Sequence, residues 1–358
     1  MIDSQFYLLF SQFPGIGPHK FNSLIKTFGS AKRASKASEK DLARVIGEKT
    51  AEKFVQFRKG FDIKGYEKFL KNKKISYVCL FEDLYPSLLK QIPNPPILLY
   101  VKGDVSLLRG PAAIAIVGTR KMTSYGAEVT DKFSSELTQS GFIIVSGMAL
   151  GVDGQAHKSC LASGGKTIAV LGNGVDLPFP PSNKYIYDKI VAGGGTVISE
   201  FPPGQPPSVG SFPSRNRIIA GLSVAVLVTQ GAEDSGSVIT ANFAAKFGRP
   251  VFAVPGPITS SLSKGPNDLI KAGAKLVFDS SDILKELGVK LEIKNQISKL
   301  DGLTKDEKKM VELLQNEQLP FDEIAKRLKK DASKTASILS MMEIKGVIKS
   351  AEGKYLLS

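Results

Sequence analysis

Between Ala112 and Val254 six short apolar runs recur, each followed by a polar or glycine-rich stretch and then an amphipathic segment. They are Ala112–Val117, Phe142–Val145, Thr167–Leu171, Thr196–Ser199, Val224–Thr229 and Val251–Val254. Continuous β-branched runs without alternation are buried on both faces. Separated by helical segments, they predict an α/β domain with a mostly parallel sheet covered by helices on both sides. In such Rossmann-like sheets ligands sit at the carboxyl ends of the strands.

The unusual residues collect at those ends. Gly118, Thr119 and Arg120 follow the first run, Ser146 and Gly147 the second, and Gly172 and Gly174 the third. Ser235, Gly236 and Ser237 open the helix after the fifth. Glycine lets a ligand approach the backbone, and Ser or Thr at a helix start caps it or binds an oxyanion. The stretch FPSRNRIIAG, Phe212–Gly221, adds Arg215 and Arg217 around Asn216 at a helix start. Guanidinium forks beside free first-turn N–H groups suit phosphate oxygens. The alternative is that both arginines are solvated or paired with local carboxylates. Phe212 is either a platform on which a base stacks or a core residue seating the helix. Asn216 either faces the ligand or ties down the loop. The expected rim holds Arg120, Arg215, Arg217 and Lys184 as phosphate contacts, with backbone N–H groups near Ser146, Gly147 and Gly236.

Several chemistries find no support. No G-x-G-x-x-G follows the first strand and no Walker A sequence occurs, so no nucleotide cofactor is expected. Two cysteines, Cys79 and Cys160, and two histidines lack metal-ligand spacing, so neither a zinc site nor a disulfide framework is expected. His157 has no evident Ser or Cys nucleophile and reads as a loop anchor or polar core residue. Asp153 and Glu200 stand near strand ends, where carboxylates commonly fix loops by accepting N–H bonds. No apolar run approaches a membrane span of about 20 residues, and MIDSQFYLLFSQF has no signal-peptide pattern, so a cytoplasmic protein is expected. The net charge is +14, which suits a polyanionic partner.

Four segments are expected: a helical module over 1–65, the α/β domain over 66–290, a linker over 291–303 and a small domain over 304–358. In the first, FPGIGPHKFNSLIKTFGS reads as a helix-hairpin-helix, with Gly15 and Gly17 at the turn and Pro18 opening the second helix. Its turn offers N–H groups to a phosphate, or the module serves packing and protein contact. VIGEKTAEKF around Gly47 is a weaker second copy. Lys64–Asp104, with ISYVCLF and a second short strand at Ile97–Val101, reads as an extension on the sheet edge. Thr304–Ser358 follows the winged-helix pattern of three helices and a two-strand wing turning at Glu352-Gly353. Its third helix carries Lys334 and Lys345 with Ile338, Leu339, Met341, Met342 and Ile344, which read mostly as core; either duplex DNA or a protein is its partner.

In their order, the segments IVGTR, IVSGMALGVDGQAH, TIAVLGNGVD, ISEFPPG, FPSRNRIIAGLS, DSGSVITANFAAKFGRPVFAVPG and GPNDLIKAGA resemble the DNA-processing protein A family (DprA, or Smf). The resemblance covers nearly the whole chain. It implies a protein without catalysis that binds single-stranded DNA, loads the RecA recombinase onto it in natural transformation, and forms homodimers through the Rossmann-like domain. It also implies that Arg120, Ser146-Gly147 and Arg215–Arg217 line the DNA pocket. The chain departs from the family pattern at Phe179, where tyrosine is common, and at Gln230-Gly231, which replaces an acidic-small pair. Phe21 departs from the small residue usual in helix-hairpin-helix turns. A rival reading is a nucleotide-processing hydrolase of the lysine-decarboxylase-like group, whose PGG-x-GT-x-x-E glutamate has no counterpart in EDSGSVITANF. A second rival is an architectural duplex-DNA binder using the terminal modules.

Overall fold

Aromatic residues spaced along the first sixty positions drive the chain's opening helices together. The computed structural model describes residues 3–289, 303–314, 318–345, 347–351 and 353–357, and it divides into two units, Met1–Val289 and Lys290–Ser358. The first unit opens with α1 (Ser4–Ser11), α2 (Pro18–Phe28), α3 (Ala31–Lys36), α4 (Glu39–Ile46), α5 (Glu48–Gly60) and α6 (Ile63–Asn72). Phe21 is buried against Tyr7 and Phe10, with ring centroids 4.9 and 5.2 Å away, so the large residue fills the hairpin core. Neither Gly15 nor Gly17 takes a positive φ. The turn needs Gly15 for room instead. A Cβ on Gly15 would stand 2.6 Å from the Phe13 ring, whereas one on Gly17 would meet nothing. Pro18 opens α2, with Gly17 as an N-cap that offers no side chain. Gly47, between α4 and α5, does need its left-handed freedom, with φ 83°.

The chain then enters a nine-stranded sheet. Strands β1 (Ser76–Cys79) and β2 (Leu98–Gly103), with the short helix α7 (Ser87–Lys90) between them, form an antiparallel extension at one edge. The alternating part follows: β3 (Ala113–Val117), α8 (Ser124–Gln139), β4 (Ile143–Ser146), α9 (Val152–Ala162), β5 (Thr167–Val170), α10 (Lys184–Ala192), β6 (Thr196–Ser199), α11 (Ser211–Leu222), β7 (Ala225–Val228), α12 (Gly236–Lys246), β8 (Val251–Ala253), α13 (Lys264–Lys271), β9 (Lys275–Leu276) and α14 (Ser280–Glu286). All six expected strands are present and parallel. Every residue of β3 to β7 is buried, as fully apolar strands between two helical layers must be. The strand order is β1-β2-β6-β5-β4-β3-β7-β8-β9. The chain runs outward from β3 to β6, then returns along α11 to place β7 on the other side of β3. This reversal between β3 and β7 opens a crevice at their carboxyl ends, the place where such sheets bind ligands.

In the second unit α15 (Lys305–Leu314), α16 (Phe321–Leu328) and α17 (Ala332–Ile344) surround a small sheet in the order β10 (Leu319–Pro320), β12 (Lys354–Leu357), β11 (Ile348–Ala351). Met310, Leu314, Ile324, Leu339 and Met342 form its core. Met341, expected there, is 50% exposed, because it falls on the outer face of α17 beside Met342. The expected linker over 291–303 lies outside the described residues apart from Leu303, as does Glu352 of the expected wing turn.

Candidate nucleic-acid interface

The switch-point crevice has a volume of about 550 Å³. Gly118, Thr119, Arg120 and Lys121 after β3 form one wall, and Ala232 with Asp234 to Ser237 after β7 another; α11 closes it with Phe212, Pro213, Arg215, Asn216 and Ile219. Gly118 is required by crowding: a Cβ there would stand 2.6 Å from the carbonyl oxygen of Gln230. Gln230 also holds the β3–α8 loop, accepting from Thr123 N at 2.9 Å and donating to Thr123 Oγ1 at 2.8 Å. A carboxylate at that position could accept but not donate.

The rim of the crevice is aromatic and basic. Arg120 is exposed, its guanidinium carbon 5.5 Å from the centroid of the partly buried Phe212 ring. Phe179, 37% exposed, lies 5.7 Å from Phe212 at 32°. A cation and two rings with accessible surface form a platform for stacking. On the opposite side α12 presents its first turn, capped by Ser235 Oγ accepting from Ser237 N at 3.3 Å. Gly236 leaves that turn uncovered, since a Cβ there would have only Asn216 Nδ2 within 4.0 Å.

Arg215 lies beneath this rim. Its side chain is 4% exposed, and Nη1 donates to the carbonyl oxygens of Gly147, at 2.5 Å, and Val170. Burial lowers its pKa to about 10, with the Arg120 charge acting in the same direction and Asp153 opposing, so it stays cationic at neutral pH. Asp153 is buried beside it, and burial raises its pKa while Arg215 lowers it. Asp153 Oδ2 accepts from Gly147 N at 3.1 Å and Ala149 N at 3.4 Å, the loop-fixing role expected of a strand-end carboxylate. Gly147 is the neighbour Arg215 needs, because a Cβ would approach Nη1 to 2.3 Å. Ser146 is also buried, its hydroxyl donating to Ile116 O at 2.7 Å. The Ser146-Gly147 pair therefore builds the floor under Arg215. Asn216 spans two helices, its Oδ1 accepting from Arg215 Nε at 3.2 Å and its Nδ2 donating to Gly236 O at 3.1 Å. It ties α11 to α12.

Two expected rim residues sit elsewhere. Lys184 is exposed on α10, pairs with Asp188 at 2.6 Å, and does not line the crevice. Arg217, two positions after Arg215, points to another face of the helix, where it pairs with the nearly buried Glu200. Burial raises the Glu200 pKa and Arg217 pulls it down. Arg217 lines a separate groove with Gly15, Gly17 and Lys20 of the helix-hairpin-helix. A contiguous RNR triplet cannot place both arginines in one crevice on a 3.6-residue helix.

The remaining candidates have structural partners. His157 is fully buried, its Nδ1 2.7 Å from Thr167 Oγ1, and burial lowers its pKa to about 3. Cys79 and Cys160 are buried free thiols. Among the described residues no cluster of His, Cys, Asp or Glu could hold a metal ion, and no helix is long and apolar enough to cross a membrane. In the second unit Lys334 pairs with Asp331 at 3.6 Å and Lys345 with Glu307 at 2.7 Å.

The family model described as DNA recombination-mediator protein A matches residues 76–288, more than half of the chain. The chain belongs to this family. A second model, the DprA winged helix domain, matches residues 291–354. The chain is 39% identical over 291 residues to the Smf protein of a Synechocystis species, covering 80% of this chain and 73% of that one. The crystal structure of DNA processing protein A from Streptococcus pneumoniae superposes with a TM-score of 0.71 at 35% identity, over 79% of this chain and 97% of that one. DNA processing protein A from Helicobacter pylori, whose structure was described for its single-stranded DNA binding mode, gives a TM-score of 0.54 at 33% identity, over 60% and 95% of the two chains. The resemblance read from the motifs is the family found, and the Rossmann-like sheet and winged helix are the architecture expected.

Proposed function

We propose that this protein binds single-stranded DNA across the crevice between β3 and β7 and acts by binding rather than by catalysis. The observation that carries the reading is the Arg120–Phe212–Phe179 platform at the switch point, set over the buried charge of Arg215. An exposed guanidinium meets a phosphate, and the rings take unpaired bases without regard to identity. The Gly236 N–H at the first turn of α12 adds a further donor. Arg215 contributes positive potential from below rather than an open fork. Single-strand binding by the Helicobacter pylori relative supports the same ligand. Within this reading the finer role is to load the RecA recombinase onto bound strands in the cytoplasm, as natural transformation requires. It works as a homodimer, for which Ile258 and Phe278, 95% and 70% exposed after the last two strands, offer apolar surface.

The test is a salt-titrated binding assay on single strands, with duplex as competitor, repeated with RecA present. Arg120→Ala and Phe212→Ala should each weaken single-strand binding about tenfold, consistent with about 1–3 kcal/mol per stacked base. Unchanged affinity in both variants, or a preference for duplex, overturns the reading. RecA filament growth that is no faster with the protein than without it removes the loading role alone.

A further inference from the structure

The helix-hairpin-helix turn and α11 face one another across a second groove. Its volume is about 680 Å³. One wall is Pro14 to Lys20, the other Glu200 to Pro202 with Ser214 and Arg217 of α11. The Gly17 N-cap has no side chain to satisfy the first-turn N–H groups of α2. Lys20, half-buried in that turn, is held by Thr50 Oγ1 at 3.0 Å, so a positive charge is fixed at the groove edge. The single carboxylate in the lining, Glu200, is already engaged by Arg217. Arg217 Nη1 is buried with no hydrogen-bond partner. The surrounding module is strongly basic: Met1–Ile75 holds sixteen Lys and Arg against seven Asp and Glu, giving +9 of the chain's +14. Both grooves border the first turns of α11, with Phe212 and Arg215 on one side, Ser214 and Arg217 on the other, and exposed Pro213 between them.

We infer that this second groove binds the phosphodiester backbone of the same single strand after it crosses the start of α11. The ligand class follows from the lining: uncovered N–H groups, a fixed lysine and an apolar floor with Ile97 and Leu98 suit phosphate and sugar rather than a base edge. The inference rests on single-strand binding at the first crevice, and it adds a longer footprint.

The test compares oligonucleotides of about 6 and about 20 nucleotides, lengths that bracket occupation of one site and of both. The informative variant is Gly17→Asp. Its backbone, φ −82° and ψ −179°, is that of an ordinary N-cap, and a Cβ there meets nothing. Asp is a preferred cap, so α2 should be at least as stable while the groove gains a negative charge. Gly17→Asp and Lys20→Ala should leave short-strand binding unchanged and weaken long-strand binding about fivefold, with a shallower salt dependence, as expected for one lost phosphate contact. Equal affinity for the long strand in wild type and Gly17→Asp overturns the inference. So does a loss confined to duplex. Arg120→Ala separates the two ideas: if it weakens both lengths while Gly17→Asp weakens neither, the first crevice stands and the second groove falls.

Discussion

Arg120 and Arg215 carry the same charge under opposite conditions. Arg120 is exposed, and Arg120→Ala should change stability by no more than about 0.5 kcal/mol while reducing single-strand affinity. Arg215 is buried against two backbone carbonyls and beside Asp153. Arg215→Ala would strand those acceptors and a buried carboxylate, and should cost about 3 kcal/mol of stability in denaturant unfolding. A small loss for Arg215→Ala with intact folding would mean that its guanidinium is not committed to the interior. Gly147→Ala should be destabilised through the same contact, since its methyl would collide with Nη1. At this scale the sequence was legible in kind but not in placement. The stretch FPSRNRIIAG was expected to open its helix at the arginines; α11 begins at Ser211 instead, so Arg215 and Arg217 lie beyond its first turn and Arg217 pairs with Glu200, whereas Asp153 fixes its loop by accepting N–H bonds as expected. Which side of α11 each arginine faces depends on where the helix begins and how it rolls on the sheet. Neither is written in the triplet itself, so Arg217 and Lys184 were expected at a rim they do not line.

Among the elements, the α9–β5 contact carries a pH dependence. His157 on α9 meets Thr167 at the start of β5, and its pKa is lowered to about 3 in the fold against about 6.5 in an unfolded chain. The unfolded chain therefore binds a proton that the folded one does not. Stability is full above pH 6.5 and falls with decreasing pH between 6.5 and 3, by about 2 kcal/mol at pH 5. The raised pKa values of Asp153 and Glu200 act with opposite sign, so the decisive quantity is the difference between wild type and His157→Gln. The variant should lose that part of the slope in urea unfolding at pH 7.5 and 5.0. An identical slope would remove His157 as its source. Strands and helices were legible because burial on both faces demands unbroken apolar runs. The exceptions are two-residue strands: β9, exposed and paired with β8, and β10, paired with β12, leave no hydrophobic run to read. Met341 was misplaced for a related reason: adjacent methionines on a helix face different directions, and composition does not say which is inside.

For the molecule as a whole, the charge is unevenly distributed, and the basic helical module packs in the same unit as the sheet. Binding should therefore weaken steeply with salt. Each phosphate neutralised on a single strand contributes a slope of about −0.7 in log K against log salt. Arg120→Ala should make the slope shallower by about that amount, measured by fluorescence anisotropy between low and physiological salt. A slope unchanged by the substitution would mean that Arg120 contacts no phosphate. The order of modules and the sheet class were readable from the chain, whereas the meeting of the helix-hairpin-helix with α11 joins segments two hundred residues apart and leaves no local trace. That meeting makes α11 a partition with a groove on each side, pinned in the middle by Arg215 and Asn216. A partition of this kind transmits stiffness. Filling either side should slow hydrogen–deuterium exchange along the whole of α11, including amides that face the opposite side.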